Sequence, residues 1–278
     1  MVARLILHSD DFGLHPAVNR AIIEAFTHGC LTSASLMANG LAVEDAISGA
    51  LRYPDFGVGV HLNILRGRPL SPPSEIPSLV DDRGFFLNSA AVLLCKSFMG
   101  KISKQQVYLE YRRQILFLKE QGIRLTHLDG EKHTHLLLPE AVWAVKKLTK
   151  EFGIPKVRII NETALMRTLF ASGSRFYSGL MQRLKLFLLE NRSRKALQEL
   201  SDIKHTDLTF GVLISGSIDY KNSYKVLTTL LSMDADVTIE WMFHLGYPFN
   251  IHKSSFKTEF GSFFLNEQRE KELHFFLS

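Results

Sequence analysis

Four separated segments of this 278-residue chain carry side chains able to do chemistry. Asp10 and Asp11 are adjacent. His61 stands in Gly59-Val60-His61-Leu62. His127, Asp129, Glu131, His133 and His135 crowd into HLDGEKHTH, and Glu240 and His244 lie in EWMFH. Imidazoles and carboxylates together are ligands for Zn, Fe, Ni, Co or Mn. A metal with an open coordination position polarises a carbonyl and acidifies a water. Adjacent aspartates on a strand point opposite ways, so one can ligate while the other handles a proton. The alternate positions from His127 to His135 share one side if the chain stays extended, and Gly130 is where that parity can break.

Each group also has a bland reading. Paired aspartates after a strand are often a solvated turn or a helix cap. His61 alone reads as a satisfied buried histidine, His133 and His135 as surface loop, and His244 as structural. His8, His15, His28, His127, His205, His252 and His274 are read as structural or surface. What favours chemistry is the elements that must position these groups. Apolar runs at Arg4 to His8, Ser33 to Ala38, Gly57 to Asn63, Leu125 to Asp129, Val157 to Ile160, Phe210 to Ser215 and Val237 to His244 read as strands. Helical patterns follow at Pro16 to Phe26, Ala42 to Leu51, Ser103 to Gln121, Pro139 to Phe152, Ser178 to Leu200, Tyr220 to Leu231 and Glu267 to Leu277. Alternating strand and helix implies a parallel sheet with helices outside, and the near-continuous apolar strands fit burial on both faces. Seven such units in this length predict an α/β fold with one TIM-like barrel domain over residues 1–278. In a parallel barrel all strand C-termini open on one face, where active sites lie. The four segments therefore converge.

The remaining composition sets bounds. With 46% hydrophobic and 22% charged residues the chain is an ordinary globular one. The net charge of +5 does not demand nucleic acid. Two cysteines, Cys30 and Cys95, form neither a disulfide scaffold nor a zinc ribbon, which favours a reducing, cytoplasmic setting. No secretion signal can be fitted to the N-terminus, and no apolar stretch reaches the roughly 18 residues of a membrane span. Residues 66–87 hold four of the nine prolines and read as a rim loop of a cleft. Residues 175–195 hold six basic side chains and one acid, Glu190, with Leu180, Leu184, Phe187 and Leu188 at helical spacing. The stretch 175–200 is read as a basic amphipathic helix, either packed by its apolar side or peripheral to an anionic membrane. Eight of the 20 Phe fall between Phe243 and Phe276, read as a packed final strand and helix rather than as a wall for a lipid tail.

Together the motifs resemble one family. Ser9-Asp10-Asp11-Phe12-Gly13, Thr32 to Asn39, Gly59 to Leu62, Thr126 to His135 and Glu240 to His244 are similar, in order and spacing, to the motifs of YdjC-like carbohydrate deacetylases. The likeness extends over nearly the whole chain, and the chain looks most similar to the branch associated with hopanoid lipid biosynthesis. The resemblance implies a distorted TIM-like barrel that removes N-acetyl groups from sugars with one divalent ion. It implies Asp11 and His61 as metal ligands, Asp10 as general base toward the attacking water, and His244 as the acid for the leaving amine. It implies that Arg158 orients Asp10 or the sugar.

Three positions depart from the family pattern. Glu131 stands where the family usually has the histidine that completes the metal site. Asp11, His61 and Glu131 would make an oxygen-rich site favouring Mn or Mg over Zn; otherwise His133 or His135 takes the ligand role or contacts substrate. Leu245 replaces the usual Pro after the late histidine. The chain stops at Ser278, where family members commonly run into another strand, so an incompletely closed barrel is expected. The implied partner is an N-acetylated sugar, free or lipid-linked, and a homodimer is compatible. Two rivals remain at this point. One is a glycoside hydrolase using carboxylates from Asp10, Asp129 and Glu240. The other is a non-catalytic glycan- or lipid-binding protein.

Overall fold

The computed structural model describes residues 3–163, 165–166, 180–213, 220–231, 236–248 and 268–277. Six strands form one parallel sheet: β1 (Arg4–Phe12), β2 (Ser33–Leu36), β3 (Gly57–Leu62), β4 (Leu125–Gly130), β5 (Leu208–Phe210) and β6 (Thr238–Phe243). Their order is β4-β3-β2-β1-β6-β5, and the sheet curls into a half-barrel. Helices α1 (Pro16–Thr27), α2 (Val43–Leu51), α3 (Ala90–Phe98), α4 (Lys104–Glu120), α5 (Thr134–Leu137) and α6 (Pro139–Phe152) come from the first half. The second half supplies α7 (Leu180–Glu199), α8 (Tyr220–Leu231) and α9 (Gln268–Leu277). Among the described residues, no helix is long and apolar enough to cross a membrane. The expected rim loop is well packed: Ile76, Leu79 and Phe86 are buried, and Glu110 of α4 accepts the amides of Leu70 and Ser71.

Local sequence accounts for most boundaries. Pro16 opens α1, and the His15 side chain caps it by accepting from the Ala17 amide. Gly153 ends α6 in the left-handed conformation. Strand β5 is shorter than Phe210 to Ser215. Gly211 takes φ +124°, and the amides of Val212 and Leu213 go to the Glu162 carboxylate instead of a ladder. Residues 214–215 lie outside the described residues.

The seven-strand expectation needs correction. Val157 to Ile160 is not a strand: it follows Pro155 and makes only isolated bridges, Leu128 with Val157 and Lys156 with Lys204. The Leu128 amide donates to Lys156 and the Arg158 amide to Leu128. The segment thus spans the gap between the edge strands β4 and β5 without completing a ladder. Its role is to carry Arg158 into the half-barrel, where that side chain is buried. Helix α3 had no reading from sequence, because Ala90 to Cys95 is a nearly unbroken apolar run without a helical period.

The core of the curl is aromatic on one side. Trp241 and Phe243 of β6 pack against Phe275 at 5.4 and 5.7 Å, and Phe276 stands edge-on to Phe243 at 4.8 Å. These contacts anchor α9 to the sheet. The other phenylalanines of the late cluster, Phe249 to Phe264, lie outside the described residues.

Candidate active site

Strand β1 delivers both of its aspartates to the same place. The pairing of β1 with β2 shifts register between Ser9 and Phe12, and Asp11 adopts φ +68°. That bulge overrides the strict alternation expected of a strand, so Asp10 and Asp11 both face the C-terminal mouth. A left-handed non-glycine residue costs roughly 1–2 kcal/mol, which packing around it must offset. A second strained turn follows β4. Extended backbone stops at Gly130, a short 3-10 turn covers Glu131–His133, and Lys132 and His133 take φ +48° and +57°. The alternation expected through His135 therefore ends at Gly130.

Three groups meet at the mouth. Asp11, His61 and Glu131 each offer a ligand atom within 4.8 Å of the others, and all three residues are buried. Their orientation is fixed from behind. His61 Nδ1 lies 2.9 Å from Asp129 Oδ1 and 3.0 Å from Ser35 Oγ. That leaves His61 Nε2 facing Glu131 Oε2 at 3.4 Å and Asp11 Oδ1 at 3.7 Å. The second oxygen of each carboxylate is occupied: Arg66 Nε donates to Glu131 Oε1 at 2.7 Å, and Arg269 Nη2 donates to Asp11 Oδ2. One imidazole nitrogen and one oxygen from each acid therefore converge, each ligand held by a partner outside the cluster. This donor set fits a divalent ion, with a carboxylate behind the ligating histidine as metal sites commonly have. Among the described residues, neither His133 nor His135 joins Asp11 and His61 in such a group.

The expected acid–base residues lie beside this cluster. Asp10 is gripped by Arg158, with Nη1 to Oδ2 at 3.1 Å and Nη2 to Oδ1 at 2.8 Å. His8 Nε2 stands 3.2 Å from the same carboxylate, and His244 Nε2 3.9 Å from Oδ2. Burial resists the Asp10 charge most, but the Arg158 guanidinium together with His8 and His61 outweighs it and holds the carboxyl well below the usual range. Burial also resists charge on His61, yet Asp129 and Glu131 raise its pKa well above the ordinary imidazole value.

Other sequence-stated residues land differently. Arg158 donates to Asp10, Asp129 and Glu240 with the side chain almost wholly enclosed. His135 is buried with Nε2 3.1 Å from the Arg158 carbonyl. Burial, then the nearby Lys185 and Arg158 charges, keep His133 neutral, and its Nδ1 has no hydrogen-bond partner. Leu245 supplies the amide a proline lacks, donating it to Ser9 Oγ, and its carbonyl accepts from Arg269.

Several residues at the site escaped the sequence reading. His8, taken as structural, sits between Asp10 and Asp129, and Ser33 and Ser35 lie within 2.8 and 3.3 Å of its two nitrogens. Asp129, read as a candidate ligand or rival catalytic acid, is the partner of His61. Arg66 and Arg269 had no signal at all. The turn that presents Arg66 depends on Asn63, whose Oδ1 accepts from the Leu65 and Arg66 amides while Gln114 brackets its backbone. Arg269 arrives from α9, 258 positions after Asp11.

Fold and site define a parallel α/β half-barrel with a buried imidazole–carboxylate centre at its C-terminal mouth. The family described as YdjC-like protein matches residues 4–278, and the chain belongs to that family. A carbohydrate deacetylase of Oceanobacillus iheyensis is 38% identical over 152 residues, 55% of this chain and 63% of that protein. A carbohydrate deacetylase of Clostridium beijerinckii is 37% identical over 153 residues, 58% of its length. The chain thus spans about three fifths of these curated relatives. The mouse carbohydrate deacetylase is 30% identical over 255 residues, 88% of this chain and 78% of its own. A crystal structure from Enterococcus faecalis, described as a putative cellobiose-phosphate cleavage protein, superposes with TM-score 0.73 at 22% identity. It covers all of this chain and 92% of that one, a likeness of fold.

Proposed function

We propose that the chain is a carbohydrate deacetylase, hydrolysing the acetamide of an N-acetylated sugar with one divalent ion held by Asp11, His61 and Glu131. The observation that carries this reading is the convergence of Asp11 Oδ1, His61 Nε2 and Glu131 Oε2, each ligand braced from behind. When bound, the ion polarises the acetamide carbonyl and acidifies the attacking water. Asp10 then accepts the water proton. A carboxylate held so firmly ionised is a weak base, and it serves only for a water made acidic. Arg158 keeps that carboxylate aimed. His244, partly open to the mouth and 3.9 Å from Asp10, donates a proton to the nitrogen as the C–N bond breaks. The C–O bond forms to give acetate, and the sugar leaves as its amine. His133, with a free Nδ1 at the strained turn, is assigned to the sugar.

The glycosidase alternative loses its carboxylate pair. Asp10, Asp129 and Glu240 all lie on one buried guanidinium at 2.8, 2.9 and 2.7 Å. Asp129 is fully enclosed, so it has no access to a glycosidic oxygen. The test is acetate release from a panel of N-acetylated oligosaccharides with Mg, Mn or Zn added. Asp10→Asn should abolish release and keep the metal, whereas Asp11→Asn should lose the metal by elemental analysis. Glycan binding with no acetate released under any of these metals would refute the deacetylase reading in favour of a binding protein.

A further inference from the structure

Helix α7 is apolar on two sides. Leu186, Leu189, Ser193 and Ala196 face inward, as a helix packed on α5 and α6 requires. Leu180, Leu184, Phe187 and Leu188 face outward and are 82, 48, 62 and 52% exposed. The sequence left two readings of Leu180, Leu184, Phe187 and Leu188, packed against the fold or turned to an anionic membrane, and the four are exposed. Positions 180, 184, 187 and 188 fall within about a third of the helix circumference and run about 12 Å along it. Arg183 and Arg194 flank this stripe on one side, with Arg192 and Lys195 at its far end and other flank. Glu190, the one acid of the stretch, is turned inward, where its carboxylate accepts from the Glu162 and Thr163 amides. The outward face offers apolar side chains and positive charge together.

Helix α7 lies beside the turn that carries Glu131. Lys185, on the same helix, is within electrostatic reach of Glu131 and Glu162, and α7 packs on α5 directly after the strained Glu131–His133 turn. A second apolar pair is exposed near the start of α6. Phe98 and Met99, 92 and 60% exposed, end α3, where Ser97 Oγ donates to Glu140 in the first turn of α6 at 2.7 Å. Apolar groups that penetrate, ringed by cations, are the combination that binds an anionic bilayer interface.

We propose that α7 docks the chain on an anionic lipid surface through Leu180, Leu184, Phe187 and Leu188, with the active-site mouth turned toward the membrane. The docking surface does not depend on the deacetylase reading. The test is co-sedimentation of the full chain with vesicles of phosphatidylcholine alone or mixed equally with phosphatidylglycerol, without substrate. Anionic vesicles should bind at least about ten-fold better, with high salt removing most of the difference. Leu184→Ser/Phe187→Ser should abolish binding, and Arg194→Gln/Lys195→Gln should weaken it about ten-fold or more. Both variants should keep the wild-type far-UV spectrum and acetate release from a soluble oligosaccharide. Equal binding to neutral and anionic vesicles, or none to either, overturns the proposal. So does a dimer in sedimentation velocity that Leu184→Ser/Phe187→Ser dissociates, since the stripe would then be a subunit interface. Absence of acetate release from every substrate, with vesicle binding intact, would refute the deacetylase reading and leave the docking surface standing.

Discussion

Replacing Arg158 by methionine tests the electrostatic logic of the half-barrel directly. The guanidinium holds Asp10 through both oxygens, Asp129 at 2.9 Å and Glu240 at 2.7 Å, all enclosed. Methionine preserves much of the volume and leaves three buried carboxylates without their shared cation. Breaking a buried ion pair by removing one partner costs about 3–5 kcal/mol. His8 and His61 remain beside Asp10 and Asp129, which keeps the expectation within that range. For a chain this size the loss lowers Tm by roughly 6–20 °C. The pH dependence supplies a sharper criterion. In the wild type, the folded pKa values of Asp10 and Asp129 lie well below the usual carboxylate value. Their stabilisation is therefore complete above about pH 4 and is lost as pH falls through the folded values. Without Arg158, burial dominates and raises both pKa values above those of the unfolded chain. The stability difference between variant and wild type should then shrink as pH is lowered from 8 to 5, by up to about 1.4 kcal/mol per unit for each carboxylate that takes up a proton. Urea unfolding followed by far-UV circular dichroism across that range measures it. A loss below about 1 kcal/mol, or a difference flat with pH, would refute the assignment of Arg158 as the shared counter-ion.

Three further outcomes are specific. Glu131→Gln should weaken Mn binding by about 10–100-fold in a competition titration, and Glu131→His should shift preference toward Zn; unchanged affinity in both would remove Glu131 from the ligand set. Gly59→Ala should be severely destabilising, because the added Cβ would sit 2.3 Å from the His127 ring, and a Tm within about 2 °C of wild type would contradict that packing. Burial pushes the Glu162 carboxyl up to about 7 against the pull of three backbone amides. The folded state therefore holds this proton more tightly, and stability should fall from about pH 4.5 to 7 by on the order of 3 kcal/mol. Glu162→Gln should remove that slope, and a slope unchanged in the variant would refute the assignment.

Strand positions were legible because parallel strands buried on both faces are continuous apolar runs, and the chemistry stands at their ends. Asp10, Asp11, His61, Glu131 and His244 could be placed on one mouth for that reason alone. What stayed hidden was what depends on local departures from ideal geometry or on distant partners. The bulge at Asp11 and the left-handed pair Lys132 and His133 have no sequence period, and they decide which side chains face the mouth. Arg66 sits in a proline-rich loop whose turn is set by Asn63 and Gln114, and Arg269 comes from the final helix. A lone arginine on a surface-like segment carries no signal of the buried acid it will meet. The seventh strand failed for a related reason: Val157 to Ile160 has the composition of a strand, but this segment makes only isolated bridges, Val157 with Leu128 and Lys156 with Lys204.

Counting formal charge within the half-barrel explains why these arginines matter. Asp10, Asp11, Asp129, Glu131 and Glu240 are buried, and so are Arg66, Arg158 and Arg269. Five carboxylates against three guanidiniums leave two negative charges that burial makes expensive. Two protonated histidines can neutralise them, and both His8 and His61 have raised pKa values in this environment. A divalent ion neutralises the same two charges, but ligation by His61 Nε2 requires that nitrogen to be deprotonated. The imidazole that faces Asp11 and Glu131 is thus either a cation that substitutes for the metal or a neutral ligand that binds it. The ion and the His61 proton therefore compete for one position, and with His8 still protonated their exchange raises the local charge by one.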